Sequence, residues 1–129
     1  VLSDMERMYD LTQGEWEDVI FAYYGLMPSD AQNPRLQAYK SALARYHPEI
    51  RWGAFAETGF IYAEPMVAAL AEVGRALNRE RFVAAMESLD FQGIGPPIKF
   101  GPKQRQGHQT LYLLRCTGAN SYQILTDWL

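Results

Sequence analysis

Two helical patterns stand almost back to back in the middle of the chain. Apolar residues recur at intervals of three and four over residues 59–77 and again over 79–88, and Asn78 between them is a preferred N-cap residue. Two helices therefore follow one another with almost no loop. Pro65 has no backbone N–H to donate, which predicts a kink or a delayed start in the first of them. The apolar stripe of that helix comprises Phe60, Ala63, Val67, Leu70, Val73, Gly74 and Leu77.

Segments rich in β-branched and aromatic residues flank this helical region and predict strands on both sides of it. Residues 17–24 predict a mostly buried strand, and the turn at 117–120 predicts that the last two strands form a hairpin. Asn33 and Pro34 supply the N-cap and the first residue of another helix. The predicted helices are 4–12, 34–46, 59–77 and 79–88, and the predicted strands are 17–24, 50–55, 98–100, 109–116 and 121–125.

This order of elements places the chain in the α/β class. A chain of 129 residues, of which 48% are apolar, has enough material for the core of one ordinary domain. The predicted strands are nevertheless only about half of those that a doubly wound sheet normally uses. We therefore expect an incomplete α/β fold.

Composition argues against several classes of function. Twelve basic and fifteen acidic residues give a net charge of −3, with no Lys/Arg block that could follow a phosphate backbone, so nucleic acid is not an expected partner. The longest apolar run, residues 65–71, is far shorter than the roughly 20 residues of a membrane-spanning helix. Cys116 is the only cysteine, so it cannot form an internal disulfide, and it has no neighbours at zinc-ligand spacing.

The candidate catalytic residues form no recognisable motif. A nucleophile requires a base within hydrogen-bonding reach, and Cys116, His47 and His108 have no nucleophile elbow, phosphate loop or His-Glu-x-x-His pattern around them. We expect Cys116 to be a small buried hydrophobe, His47 to interact with a helix C-terminus, and His108 to lie at the surface. The sequence therefore predicts no enzymatic activity, no metal site and no cofactor.

Four segments in a fixed order carry a family resemblance. They are GFIYAEPMVAAL at 59–70, NRERFVAAMESL at 78–89, DFQGIGPPIKFGPKQRQG at 90–107 and LYLLR at 111–115. Their motifs and spacing resemble the C-terminal part of the periplasmic binding protein type 1 family, the branched-chain amino-acid binding class of ABC-transporter substrate-binding proteins. The resemblance extends from about residue 21 to the end of the chain.

The resemblance implies two α/β lobes, between which the chain passes three times and a ligand is clamped as a hinge closes. Residues 1–22 would end one lobe, 23–25 would cross the hinge, 26–110 would belong to the other lobe, and 111–129 would return to the first lobe as a terminal hairpin. The chain would thus hold three-layer αβα pieces of both lobes. The remaining N-terminal part of the same protein would complete them.

The resemblance also implies a ligand wall before the long helix. Phe55 matches an aromatic residue of the family that lines the side-chain pocket, and Trp52, Glu57 and Thr58 flank it. These residues have alternative roles, since an aromatic residue before a helix often packs as a staple and Thr58 can cap the helix. Tyr23 lies at the hinge, where it contacts ligand or fills the strand face. The family's ligands for the amino acid's charged groups would lie upstream.

The implied function is the capture of a branched-chain or aromatic amino acid, or an aromatic carboxylate, and its delivery to the membrane permease of an ABC importer. The implied location is periplasmic or lipid-anchored outside the cytoplasm, with a signal in the precursor. Two alternatives remain open: a ligand-sensing regulatory domain of the same fold, and a small independent α/β enzyme. An upstream signal peptide or lipid-anchor cysteine would favour transport, and a fused output domain would favour sensing.

Overall fold

A computed structural model describes residues 5–26, 32–119, 121–127 and 129, apart from the side chains of residues 5 and 6. The described residues form an α/β structure, as predicted. The helices are α1 (Met5–Leu11), α2 (Pro34–Tyr46), α3 (Ala54–Val73) and α4 (Arg79–Ser88), and a 3₁₀ turn (Gly74–Ala76) follows α3. The strands are β1 (Ile20–Tyr23), β2 (Asp90–Phe91), β3 (Ile98–Lys99), β4 (Tyr112–Gly118) and β5 (Ser121–Ile124).

The helices α2 and α4 occupy the predicted residues because both have a strong N-cap. Asn33 Oδ1 accepts the Arg35 N–H at 3.0 Å, and Asn78 Oδ1 accepts the Arg81 N–H at 2.9 Å. Each bond satisfies a backbone donor that the first turn of a helix otherwise leaves unpaired. Pro34 begins α2 without cost, since its missing N–H would have had no partner inside the helix.

The start of α3 at Ala54 shows that the strand predicted at 50–55 is wrong. The apolar residues before the helix pack onto it instead of pairing with a strand, because Trp52 stacks on Phe60 with ring centroids 5.6 Å apart. Of the two effects predicted for Pro65, a kink or a delayed start, the delayed start is wrong, since α3 begins at Ala54 and runs through Pro65 to Val73. The helix ends at Gly74, whose φ of +58° favours glycine.

One sheet has the order β1-β4-β5, with both pairs antiparallel, and this confirms the predicted terminal hairpin. In the β1–β4 ladder, Tyr23 lies opposite Tyr112. Among the described residues β1 pairs on one side only, so Ile20 is half exposed and the prediction of a mostly buried strand is wrong. Strands β2 and β3 form a separate antiparallel pair directly after α4.

The core lies where α2, α3 and the turn after β2 meet. Leu36, Ile61 and Ile94 are buried at its centre, and the partly buried residues around them are Leu26, Tyr39, Trp52 and Phe60. Alternate residues of β4 form a second buried group, which consists of Tyr112, Leu114 and Cys116. Burial of Cys116 confirms that it is a small core residue.

The apolar stripe predicted for the long helix is wrong. The residues that α3 buries are Thr58, Ile61, Glu64, Pro65 and Ala69. Helical periodicity identifies an apolar face but does not specify which face packs against other elements. In this structure α2 and the turn after β2 pack against the face that carries Ile61. The opposite surface, which we call the open face of α3, presents Phe55, Tyr62, Met66, Val67 and Leu70 to solvent.

Candidate functional site

Glu57 ties the end of β1 to the first turn of α3. Its Oε1 accepts hydrogen bonds from the Tyr23 hydroxyl at 3.1 Å and from the Leu26 N–H at 2.9 Å. The first turn of a helix also favours a carboxylate, because the helix dipole is positive there. Two of the predicted site residues, Tyr23 and Glu57, are therefore in direct contact.

Tyr112 holds the same segment from the other side. Its hydroxyl donates to the Leu26 carbonyl at 2.8 Å, and its ring meets the Tyr23 ring edge-on, with centroids 5.8 Å apart. Gly25 permits this packing, since a Cβ there would collide with Glu57 Oε1 and with the Tyr23 ring. We call Tyr23, Gly25, Leu26, Glu57 and Tyr112 the crossing cluster.

Burial sets the electrostatics of the crossing cluster. It raises the pKa of Glu57 above its usual range, although the hydrogen bonds from Leu26 and Tyr23 act in the opposite direction. Burial, followed by the nearby Glu57 carboxylate, also raises the pKa of Tyr23. The Tyr23 hydroxyl therefore remains a hydrogen-bond donor at neutral pH.

The other predicted site residues have three different environments. The Phe55 ring is 54% exposed on the open face of α3. Trp52 is half-buried against Phe60, and Lys40 Nζ lies 5.5 Å from the centroid of its ring, so it contributes to the core. Thr58 is buried within α3 and does not cap it, because the helix begins before it. Of this set, Phe55 has the ring surface most open to a ligand.

Glu64 is a buried carboxylate that the sequence did not single out. Its Oε2 accepts the Ile94 N–H at 2.8 Å, and its Oε1 accepts the Tyr39 hydroxyl at 2.9 Å and lies 3.4 Å from Arg35 Nη1. Gly93 packs directly against it. A lone glutamate within the apolar pattern of a predicted helix is the signal that could have marked this position. Through these contacts Glu64, a residue of α3, links the turn after β2 to α2.

A family model described as periplasmic binding protein matches residues 6–121. The chain belongs to the periplasmic binding protein family. Comparison with curated proteins finds no significant match. The resemblance of the four sequence segments is therefore confirmed by a match that covers most of the chain.

Two solved structures share this fold over almost the whole of this chain. A possible leucine/isoleucine/valine-binding protein from Rhodopirellula baltica SH 1 aligns with a TM-score of 0.69 and 20% identity over 94% of this chain and 38% of its own. An ABC transporter substrate-binding protein from Sphaerobacter thermophilus aligns with a TM-score of 0.66 and 19% identity, over 98% of this chain and 34% of its own. This chain thus spans little more than a third of either structure and represents part of their fold.

The described residues of this periplasmic binding protein chain contain neither a membrane-spanning helix nor a cluster of metal ligands. Among the described residues, no helix has the length and apolar content needed to cross a bilayer. Within the same residues, no three His, Cys, Asp or Glu side chains come together in a way that could hold a metal ion. His108, predicted to lie at the surface, is half-buried, and both of its ring nitrogens are shielded from solvent.

The raised pKa of Glu57 predicts a pH-dependent stability. The folded protein binds this proton more tightly than the unfolded chain does, so Glu57 adds stability below its ordinary pKa of 4.5 and loses that contribution as the pH rises through the folded-state pKa. We expect the free energy of unfolding of the wild type, minus that of Glu57→Gln, to fall as the pH rises above 4.5. Urea denaturation at constant ionic strength measures this difference.

Glu72→Gln provides the control, because it removes an exposed carboxylate from the same helix and leaves the buried one in place. A difference between wild type and Glu57→Gln that grows with pH would show that the bonds from Tyr23 and Leu26 outweigh burial.

Proposed function

We propose that this chain is the C-terminal part of a two-lobed solute-binding protein, which captures an amino acid or a similar small carboxylate for an ABC importer. Membership of the periplasmic binding protein family supports solute binding and a location outside the cytoplasm. One solved structure of the same fold is described as a possible leucine/isoleucine/valine-binding protein. The protein would be periplasmic or lipid-anchored, and it would deliver its ligand to the membrane permease of the importer.

The crossing cluster is the observation that carries this proposal. It joins residues 23–26 to Tyr112, which are the two places where we propose that the chain passes between lobes. The antiparallel pairing of β1 with β4 puts Tyr23 opposite Tyr112, so the two passages lie side by side, as a hinge of paired segments requires. Residues 26–110 would then belong to one lobe, and residues 1–22 and 111–129 to the other.

The proposed ligand wall lies at the N-terminal end of α3. The exposed Phe55 ring suits an apolar or aromatic ligand side chain, because contact with it removes apolar surface from water. Glu57 supplies a polar group two residues after Phe55 in α3, and Tyr23 supplies another at the end of β1. Trp52 packs against Phe60 of α3 and Thr58 is buried within the helix, so both stabilise this end of α3. The groups that hold the carboxylate and ammonium of the ligand would come from the rest of the protein.

Replacing Phe55 with alanine is expected to weaken ligand binding about tenfold, which corresponds to the loss of roughly 1.4 kcal/mol of apolar contact. The ligands to test are leucine, phenylalanine and benzoate, since the proposed wall suits branched-chain or aromatic side chains. Isothermal titration calorimetry of the native protein measures the affinity for each.

Ile50→Ala serves as the matched control, because Ile50 is an exposed apolar residue in the loop before α3. We expect its affinity to stay within about twofold of the wild type. Equal affinities of Phe55→Ala and the wild type for every ligand that binds would overturn the proposed wall.

We also propose that the N-terminal part of the same protein covers the open face of α3. Large apolar side chains that share one face of a helix are normally buried against another element. The solved structures of this fold are also much longer, since this chain spans only 34% to 38% of them. We therefore expect native protein isolated from its source to have an intact mass well above 14.7 kDa. A native mass of 14.7 kDa would contradict this.

A further inference from the structure

The first passage between the proposed lobes is held at both of its ends. Tyr23 is the last residue of β1 that pairs with β4, and the Leu26 N–H donates to Glu57 of α3. Residues 24 and 25 lie between these two ends, and in the described part of the chain neither of them makes a backbone–backbone hydrogen bond. A change in the angle between the lobes is therefore concentrated in these two residues.

The second passage has the same organisation. The Gly107 carbonyl accepts the Lys99 N–H at 3.1 Å, and Leu111 exchanges two backbone hydrogen bonds with Leu129, at 2.7 and 3.3 Å. Between these ends, residues 108–110 form no backbone–backbone hydrogen bond with any residue that the structure describes. This passage also has a short deformable segment between two fixed ends.

We call residues 24–25 and 108–110 the hinge segments. They lie side by side, since the rings of Tyr24 and His108 have centroids 6.3 Å apart. Changes in the backbone dihedral angles of both hinge segments at once would rotate one lobe relative to the other.

Two tyrosine hydroxyls reach across the hinge segments. The Tyr112 hydroxyl donates to the Leu26 carbonyl at 2.8 Å, and the Tyr23 hydroxyl donates to Glu57 Oε1 at 3.1 Å. Both donors lie at the ends of paired strands, in front of the hinge segments, whereas Leu26 and Glu57 belong to the other proposed lobe. A rotation of the lobes would displace each hydroxyl from its acceptor, and hydrogen bonds weaken steeply when their length or angle departs from the preferred range.

Burial makes the Tyr112 bond costly to break. The side chain is only 1% exposed, so water has little access to replace its hydroxyl at the Leu26 carbonyl. The same burial means that Tyr112 cannot contact a ligand in the cleft. Any effect of its hydroxyl on the lobes must therefore act through the hinge.

We propose that the hydroxyls of Tyr23 and Tyr112 form a latch, which favours one angle between the lobes and releases when that angle changes. This inference rests on the two-lobed organisation proposed above. It goes beyond that proposal, because the latch sets the balance between lobe angles even without a ligand.

Pulsed electron–electron double resonance of the native protein without ligand measures this balance. Spin labels would be attached through p-acetylphenylalanine introduced at Lys103 and Gln123, two exposed positions in different proposed lobes. We expect Tyr112→Phe to raise the population of a second inter-label distance, relative to the main one, about fivefold over the wild type. Tyr23→Phe should shift the distances in the same direction.

Tyr39→Phe is the matched control. It removes a hydroxyl that donates to Glu64 at 2.9 Å, but both residues belong to the same proposed lobe, so the inter-label distances should not change. Wild-type distances in Tyr112→Phe, or an equal shift in Tyr39→Phe, would overturn the latch. Failure of the ligand titrations would instead refute the proposed function and would leave these distances unaffected.

Discussion

Replacing Gly93 with alanine is expected to lower the free energy of unfolding by about 3 kcal/mol. A Cβ on residue 93 would overlap Glu64 Oε2 and lie 2.8 Å from Phe91 Cε1. The carboxylate of Glu64 cannot swing aside without breaking the hydrogen bonds that it accepts from Ile94 and Tyr39. The substitution must therefore either strain the turn after β2 or leave a buried polar group unpaired.

Gly59→Ala provides a control with the same chemical change. A Cβ at residue 59 would meet no atom within 4 Å, and the residue lies inside α3. Alanine is about 1 kcal/mol more favourable than glycine within a helix, so this variant should be as stable as the wild type or more stable. Urea denaturation followed by circular dichroism compares the two variants. Similar midpoints for Gly93→Ala and Gly59→Ala would show that the Glu64 carboxylate is not held as described.

Replacing Tyr112 with alanine is expected to cost about 4 kcal/mol of stability. The residue is only 1% exposed and is the largest fully buried side chain among the described residues. Its removal would leave a cavity beneath the crossing cluster, remove the edge-on contact with Tyr23, and take away the hydroxyl that donates to the Leu26 carbonyl. The same denaturation experiment measures the loss.

Two further variants separate the parts of this effect. Tyr112→Phe keeps the ring and removes only the hydroxyl, so it should cost about 1 kcal/mol. Tyr46→Ala removes a tyrosine that is 68% exposed, and its effect should stay within about 0.5 kcal/mol. If Tyr112→Ala were no more damaging than Tyr46→Ala, the crossing cluster would not stabilise the fold.

The helices that the sequence predicts correctly are those with local signals at their ends. Asn33 with Pro34, and Asn78, mark the starts of α2 and α4, and both helices occupy the predicted residues. Capping depends on neighbours two or three residues away, so the chain itself carries this information. The order and number of the predicted elements likewise indicated an incomplete α/β fold, and the resemblance of residues 59–115 to a known family implied the same.

The burial of α3 could not be predicted from its own pattern. Apolar residues lie on more than one side of this helix, and the side that is buried depends on Leu36 and Ile94, which are distant in the chain. The strand predicted at 50–55 failed for a related reason. Its alternation of apolar residues suits a strand, but Trp52 finds its partner in the ring of Phe60.

Some residues of the candidate site could be predicted from the sequence, and others depend on contacts between distant parts of the chain. Family resemblance placed Phe55 and Glu57 before the predicted long helix, whereas the structure places both in the first turn of α3, where Glu57 accepts a hydrogen bond from Tyr23. The role of Tyr112 rests on a hydrogen bond to Leu26, 86 residues away in sequence. Pairings at that distance depend on the register of β1 with β4, which no local pattern specifies.

A thermal-shift titration of the native protein with amino acids and aromatic carboxylates tests the proposed solute-binding function most directly. A ligand at about 100 times its Kd adds about 2.7 kcal/mol to the stability of a folded protein that binds it. We expect at least one branched-chain or aromatic amino acid, or aromatic carboxylate, to raise Tm in a saturable manner. No shift with any of these carboxylates would contradict the proposal that this chain is part of a protein that captures them.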